Sequence, residues 1–368
     1  MPVPKLAIMK INYTSLLTFL FCFVAASFWP NEAQAQDPHF RQFYSAPLQM
    51  NPAMTGGFPG EYRFTANYRT QNYAVLGNQS YRSIAASFEG RRRVGRDDFY
   101  SLGVAVLRDQ VGESQFSRSR AVLSGSYLKH LGSGRGRGSD QFLIGGAQLG
   151  VGQWTFDWNN LWFSEQFNDD PMLGNIGIDF DAMNGESFAA SETDLFLEFN
   201  AGVLYYNVID EDNSFYFGGA IHHLNEPNVS FFDDQSEQLY RRIVGQIGGQ
   251  VGLTRELGLL PAVAVMSQGP SMLTIGGLNL RYSNRDWREI AIRTGLWGRV
   301  VSQSESGMGF ESVVVSAILE VERWQFGLSY DITVSDLSIT NNSRGAFELS
   351  LIYVHPSKER FKVICPKF

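Results

Sequence analysis

Along most of the chain apolar and polar residues alternate one for one, in segments of roughly ten residues, which is the period of a β-strand. Tyr62, Phe64, Ala66 and Tyr68 alternate with Arg63, Thr65, Asn67 and Arg69. Trp324, Phe326, Leu328 and Tyr330 alternate with Gln325, Gly327, Ser329 and Asp331, and Phe347, Leu349, Leu351 and Tyr353 with Ala346, Glu348, Ser350 and Ile352. One face is apolar with aromatics at its ends; the other is small or polar. The pattern predicts fourteen strands, near 61–71, 80–89, 99–109, 117–131, 141–156, 195–209, 214–224, 241–253, 260–268, 272–283, 288–301, 310–321, 324–334 and 345–355. No long amphipathic helix, domain linker or solenoid-like repeat interrupts them.

Alternation alone leaves two architectures open. In a soluble sandwich the apolar face is core and the polar face meets water. In an outer-membrane barrel the apolar face meets lipid, with aromatic girdles, and the polar face lines the lumen. The even count is what bacterial barrels require. Loop lengths favour the same answer. With the N-terminus starting in the periplasm, connections after odd strands face outward, and the long ones, 157–194, 225–240 and 335–344, follow strands five, seven and thirteen. Short turns such as 211–214, 284–286 and 322–323 follow even strands, with 90–98 and 132–140 longer than that rule wants. The expected fold is all-β: a transmembrane antiparallel β-barrel of about 14 strands, of outer-membrane type.

Composition narrows the picture further. Charged residues are 18%, aromatics 14%, and glycines number 37. That is too aromatic and too poor in charge for a disordered chain, and the mean hydropathy of -0.15 is too low for a helical membrane bundle. A net charge of -7 argues against nucleic acid as a partner. The first 35 residues read as a secretory signal peptide: Lys5 and Lys10, an apolar run from Leu16 to Phe28, then Ala33 and Ala35 as the small residues before cleavage, with Gln36 the new N-terminus. Residues 36–60 then form a periplasmic N-terminal segment, 61–355 the barrel, and 356–368 a periplasmic tail. One cysteine remains after cleavage, Cys365, which excludes an internal disulfide.

The lumenal register carries charge of both signs. Arg63, Arg69, Arg118, Arg120, Arg281, Arg293 and Arg299 point inward together with Glu198, Glu320, Asp331 and Glu348. Such charges either pair into a filled, salt-bridged interior or line an open, wet pore. Arg91, Arg92, Arg93 and Arg96 make one inner turn basic, a candidate docking surface for a periplasmic partner or anionic head groups. The tail adds Lys358, Arg360, Lys362 and Lys367 beside Phe361, Val363, Ile364, Cys365 and Phe368. It offers charge and apolar anchors for docking, or else plugs the barrel mouth or serves assembly.

Other chemistry is thin. The Gly-rich run 132–138 lacks the ending of a phosphate loop and leads into a strand. Asp169, Asp170, Asp179, Asp181 and Glu186 sit in the longest loop, in a spacing that matches no defined calcium loop. His222 and His223 are adjacent, so alternation sends them to opposite faces. No catalytic motif, cofactor site or metal site emerges, and no enzymatic role is expected.

Several short motifs point to a family. After the cleavage site the chain reads Gln36-Asp37-Pro38-His39-Phe40, Gln42-Phe43-Tyr44, Pro47-Leu48, Asn51-Pro52-Ala53 and Thr55-Gly56, followed by Asn67-Tyr68-Arg69. Further on stand His223, Asn225, Pro227, Asn228, Ser230 and Phe231, then Gln268-Gly269-Pro270-Ser271, and finally Val363-Ile364-Cys365-Pro366-Lys367-Phe368. These resemble the PorP/SprF family of type IX secretion system outer-membrane proteins. The resemblance implies a barrel in the outer membrane of a Gram-negative bacterium, partnered by lipid, by periplasmic and outer-membrane secretion components, and by a secreted cargo or a surface adhesin, with a link to gliding motility. The rival reading is a passive porin or small-solute channel; a soluble secreted sandwich is a further one. Topology is directly testable. A tag placed in 157–194 should be labelled on intact cells and one at Asp212 only after permeabilisation. Labelling of Asp212 alone, or of both on intact cells, would invert or dissolve this orientation.

Overall fold

In the computed structural model the described residues are 37–133, 139–157, 161, 163–168, 177–179, 191–210, 212–232, 237–284, 290–303, 307–335 and 337–357. Fourteen antiparallel strands close into a barrel. They are β1 Tyr62–Gln71, β2 Tyr81–Val94, β3 Asp98–Val111, β4 Phe116–Ser133, β5 Asp140–Thr155, β6 Phe196–Val208, β7 Ser214–His222, β8 Arg242–Gly252, β9 Leu257–Gln268, β10 Ser271–Tyr282, β11 Ile290–Gln303, β12 Gly307–Val321, β13 Trp324–Thr333 and β14 Arg344–His355. Each pairs with its sequence neighbours, and β1 closes the ring on β14 from Tyr62 opposite His355 to Gln71 opposite Ala346. Closure leaves no sheet edge to pair with other chains. No described helix is long and apolar enough to cross a membrane.

The strands sit where alternation placed them, and the faces decide between sandwich and membrane barrel. Ile84, Val104, Leu123, Leu149, Val203, Ile247, Leu296, Phe326 and Leu349 are exposed. On the opposite face Glu89, Ser124, Glu198 and Glu348 are almost wholly buried. A soluble sandwich would reverse this; apolar-out with polar-in is a lipid-facing barrel.

The connections 72–80, 156–195, 223–241 and 334–343 all follow odd-numbered strands and gather at one end of the barrel, the long-loop end. The turn near 90–98 shrinks to 95–97, because β2 runs on to Val94 and β3 starts at Asp98. Within the longest connection a two-residue ladder pairs Phe167 with Ile178.

The interior differs most from the sequence expectation. The sequence pattern predicts a periplasmic extension over 36–60; in the structure residues 37–58 occupy the lumen. Phe43, Met50, Ala53 and Met54 join a buried cluster with Phe99, Leu128, Phe142, Ile144, Leu204 and Trp297 from the wall. The inward face is thus not uniformly small and polar; a large part of it is apolar and packed against this segment. The cause is local. Pro47 and Pro52 each open a short helical turn, Pro47–Met50 and Pro52–Met54, where the missing N–H costs nothing. Asn51, extended as a residue before proline must be, caps the second turn by accepting from Ala53 N–H at 2.8 Å. A chain folded this tightly is too compact to pair as a strand, and its apolar side chains are buried only inside the barrel.

Two wall glycines admit the segment. A Cβ on Gly202 would lie 2.0 Å from Asn51 Oδ1, and one on Gly146 would lie 2.4 Å from the Pro52 carbonyl. Through the gap at Gly202 the Asn51 amide donates to Gly219 O at 3.1 Å, tying the segment to the backbone of β7.

Candidate functional site: the occupied lumen

The segment starts at the long-loop end and descends to β1. At its start, Asp37 lies against the ends of β7, β8 and β9. Its carboxylate takes His223 Nε2 at 2.7 Å, Arg242 at 3.2 Å and Arg120 at 3.6 Å, and its N–H donates to Gln268 Oε1 at 2.8 Å. The other ring nitrogen of His223 faces Glu198 at 3.0 Å. Burial alone would push the His223 imidazole down; the Asp37 and Glu198 carboxylates outweigh it and hold it above its usual value. Burial likewise pushes the Asp37 carboxyl up, and His223, Arg242 and Arg120 outweigh it, holding it well below the usual carboxylate range.

His222 and His223 do not take opposite faces. β7 ends at His222, and His223 turns out of the strand with φ at +56°. Both rings are therefore buried in the lumen, His222 against Met50 O at 3.2 Å.

A second group lies around Arg41. Its side chain pairs with Asp331 at 2.6 Å, while the Glu348 carboxylate accepts the backbone N–H groups of Arg41 at 2.7 Å and Gln42 at 2.9 Å. Arg69 donates to His39 O at 2.6 Å. Arg299 pairs with Glu311 and lies 3.9 Å from Asp331. Lower down, Ser45 donates to Asn67 Oδ1 at 2.7 Å, and Thr55 shares a bond with Ser124 at 2.6 Å. At the short-turn end Glu89, fully buried, accepts Gly56 N–H and Arg63 Nε, both at 2.7 Å.

The sequence-predicted lumenal residues thus fall into groups. Arg63, Arg69, Arg120, Glu198, Asp331 and Glu348 meet the N-terminal segment directly or through one partner. Arg118 pairs with Asp109 at 3.2 Å. Arg281 at 2.9 Å and Arg293 share Glu320 apart from the segment. Of the proposed basic turn, Arg91 is in fact buried in the lumen, 4.9 Å over the Phe99 ring and donating to Gly56 O at 3.3 Å. It faces inward because β2 continues through it. Arg92 pairs with Glu61 at 3.6 Å and Arg93 with Asp97 at 3.2 Å, while Arg96 is exposed at the turn. Ala33, Ala35, Gln36, Lys362, Cys365, Lys367 and Phe368 lie outside the described residues, as do Asp169, Asp170, Asp181 and Glu186.

Sequence reasoning missed Asp37, Arg41, Glu89, Asp109, Arg242 and Glu311. A signal was present. The predicted lumen held seven arginines against four carboxylates. A low-dielectric interior does not tolerate such an excess, so more acids had to come from the wall or from a segment inside it.

A family model for the type IX secretion system membrane protein PorP/SprF matches residues 32–353. The chain belongs to the PorP/SprF family. No curated protein matches it. Among solved structures this family member is similar to the CymD monoaromatic hydrocarbon channel, at 11% identity and a TM-score of 0.45, covering 88% of this chain and 96% of that one. It is also similar to the Pseudomonas putida toluene transporter TodX, at 10% identity and a TM-score of 0.40, covering 84% and 92%, and to the KdgM porin, at 8% and 0.33, covering 79% and 98%. The residues that carry the family resemblance in the sequence lie largely where segment and wall meet: Asp37, Asn51, Pro52 and Gly56 on one side, Asn67, Arg69, His223 and Gln268 on the other.

Replacing Glu89 by glutamine leaves Arg63 buried without a counter-charge, a loss of roughly 3–5 kcal/mol. Replacing the exposed Glu237 the same way should cost about 0–1 kcal/mol. Urea unfolding of the two purified variants reads the difference; equal midpoints would mean that the lumen is wet around Glu89.

Proposed function

We propose that this barrel serves in the outer membrane of a Gram-negative bacterium as a closed docking component of the type IX secretion system. In this reading it supports secretion of a cargo protein or holds an adhesin at the cell surface. The observation that supports a docking role over a pore is the lumen itself. An N-terminal segment fixed to wall charges on several sides is not a loose constriction, and a passive porin has no use for it.

The two ends then have separate tasks. The short-turn end faces the periplasm, where Arg92, Arg93 and Arg96 and the basic C-terminal tail with Lys362, Cys365, Lys367 and Phe368 meet secretion components. Exposed basic side chains, of which Arg92 and Arg93 also pair with Glu61 and Asp97, steer an acidic partner toward this end, and the apolar residues of the tail supply anchors. The long-loop end faces outward and meets the cargo or adhesin.

Planar-bilayer recording separates this from the rival channel reading. The purified chain should insert without steady current, and a variant lacking residues 37–55 should conduct. Steady porin-like conductance from the intact chain would favour the small-solute channel. A strain lacking the chain should lose surface display of its cargo, and complementation should restore it.

A further inference from the structure

On the lipid-facing side of the wall a charge is costly at the bilayer midplane and tolerated only near an interface. Along β3 the outward residues Tyr100, Leu102, Val104 and Val106 are exposed and apolar, and the next outward residue is Arg108. Along β2, in the same direction, Phe88, Ala86 and Ile84 are followed by Arg82. The register sets these two arginines together. Arg82 lies opposite Gln110 and Ile84 opposite Arg108, so Arg82 and Arg108 are diagonal neighbours on one face. From Tyr100 to Arg108 the wall climbs roughly 20 Å, at about 3.3 Å per residue and a strand tilt near 40°. That is close to the height of the apolar band of an outer-membrane barrel, so the pair stands where hydrocarbon gives way to head groups. Arg82 donates to Asn78 O at 3.0 Å, which turns its side chain toward the long-loop end.

The pair has no counter-charge among the described residues. The other strand neighbours are Thr70, opposite Arg82, and Ser119, opposite Arg108. Glu113, in the turn beyond Gln110, is exposed and pairs with neither arginine. The outward charges of β2–β4 at the opposite end of the barrel are arranged differently. There Lys129 pairs with Asp98 at 2.8 Å and Arg92 with Glu61 at 3.6 Å. Two adjacent arginines on a membrane wall, repelling each other and facing only uncharged groups, need an anion from outside the chain.

We propose that Arg82 and Arg108 bind a phosphate group of lipid A, the membrane anchor of lipopolysaccharide, on the outer rim of β2 and β3. Guanidinium groups hold phosphate oxygens through charge-assisted hydrogen bonds, and two of them converging on one phosphate replace mutual repulsion by shared attraction. The exposed Ile84, Val104, Val106 and Tyr68 below them take the acyl chains of the same molecule. Gln110, bonded to Gln115 at 3.1 Å, adds side-chain amides beside the arginines that suit the hydroxyls of a phosphorylated sugar. Phosphate and hydrocarbon thus meet the wall in the order in which one lipid presents them. The choice of the outer leaflet, and so of lipid A over a glycerophospholipid, rests on the outward orientation of the long-loop end proposed above.

The test titrates fluorescent diphosphoryl lipid A into the purified full chain in detergent. Saturable binding is expected. The double variant R82Q/R108Q should weaken it by at least about tenfold, since hydrogen bonds to a charged group are lost twice. R82K/R108K should recover part of the loss, and R255Q, in an exposed turn at the short-turn end, should leave binding unchanged. Dephosphorylated lipid A and phosphatidylglycerol should each bind at least about tenfold more weakly than diphosphoryl lipid A. A heat-modified gel shift shows that each variant is folded; if the double variant is not, the single variants R82Q and R108Q carry the same expectation with a smaller loss. Equal binding by folded R82Q/R108Q, or by dephosphorylated lipid A, overturns the phosphate site, and equal binding of phosphatidylglycerol overturns the assignment to lipid A. Orientation has its own readout, since surface labelling of Asp212 in place of 157–194 on intact cells overturns the leaflet and leaves the result with purified protein standing.

Discussion

Buried charge is the constraint on which the rest of this structure depends. A barrel wall that turns its arginines inward must neutralise them away from bulk water, where an unpaired charge is costly. The wall does this only in part, through Glu89, Asp109, Glu198, Glu320, Asp331 and Glu348. The N-terminal segment completes it. Asp37 closes the group of His223, Arg242 and Arg120, and the backbone N–H groups of Arg41, Gln42 and Gly56 satisfy Glu348 and Glu89. Arg41 in turn gives Asp331 its closest partner. Segment and wall are thus two halves of one network, and each would leave charged or polar groups stranded without the other.

Much of the fold was legible because strand period, loop parity and aromatic placement report the same geometry. Tyr62 to Arg69 alternate without a break, and so do Trp324 to Asp331; a strand with one face in lipid can have no other pattern. The N-terminal segment was not legible by the same means. Pro47 and Pro52 break any period, and a short apolar stretch ahead of the first strand looks alike whether it is exposed or enclosed. Its partners were equally hidden, since ion pairs such as Asp37 with Arg242 join residues far apart in sequence. Arg91 shows the converse error. Three consecutive arginines look like a solvated turn, yet strand alternation continues through the first of them and turns it inward. His223 escaped because a single left-handed residue overrides alternation at a strand end.

The candidate site divides along the same line. Arg63, Arg69, Arg120, Glu198, Asp331 and Glu348 could be named from register alone, because a residue's face follows from its parity. Which group each would meet could not, because that depends on how the strands close and on what fills the space they enclose.

The central claim is that residues 37–58 are a fixed part of the barrel interior. Hydrogen–deuterium exchange of the chain in lipid nanodiscs tests it most directly. The amides of Arg41, Gln42, Ala53 and Gly56, bonded to Glu348, Asn51 and Glu89, should exchange as slowly as those of the barrel strands. Exchange of these amides at the rate of an unstructured chain, with the strands still protected, would contradict it.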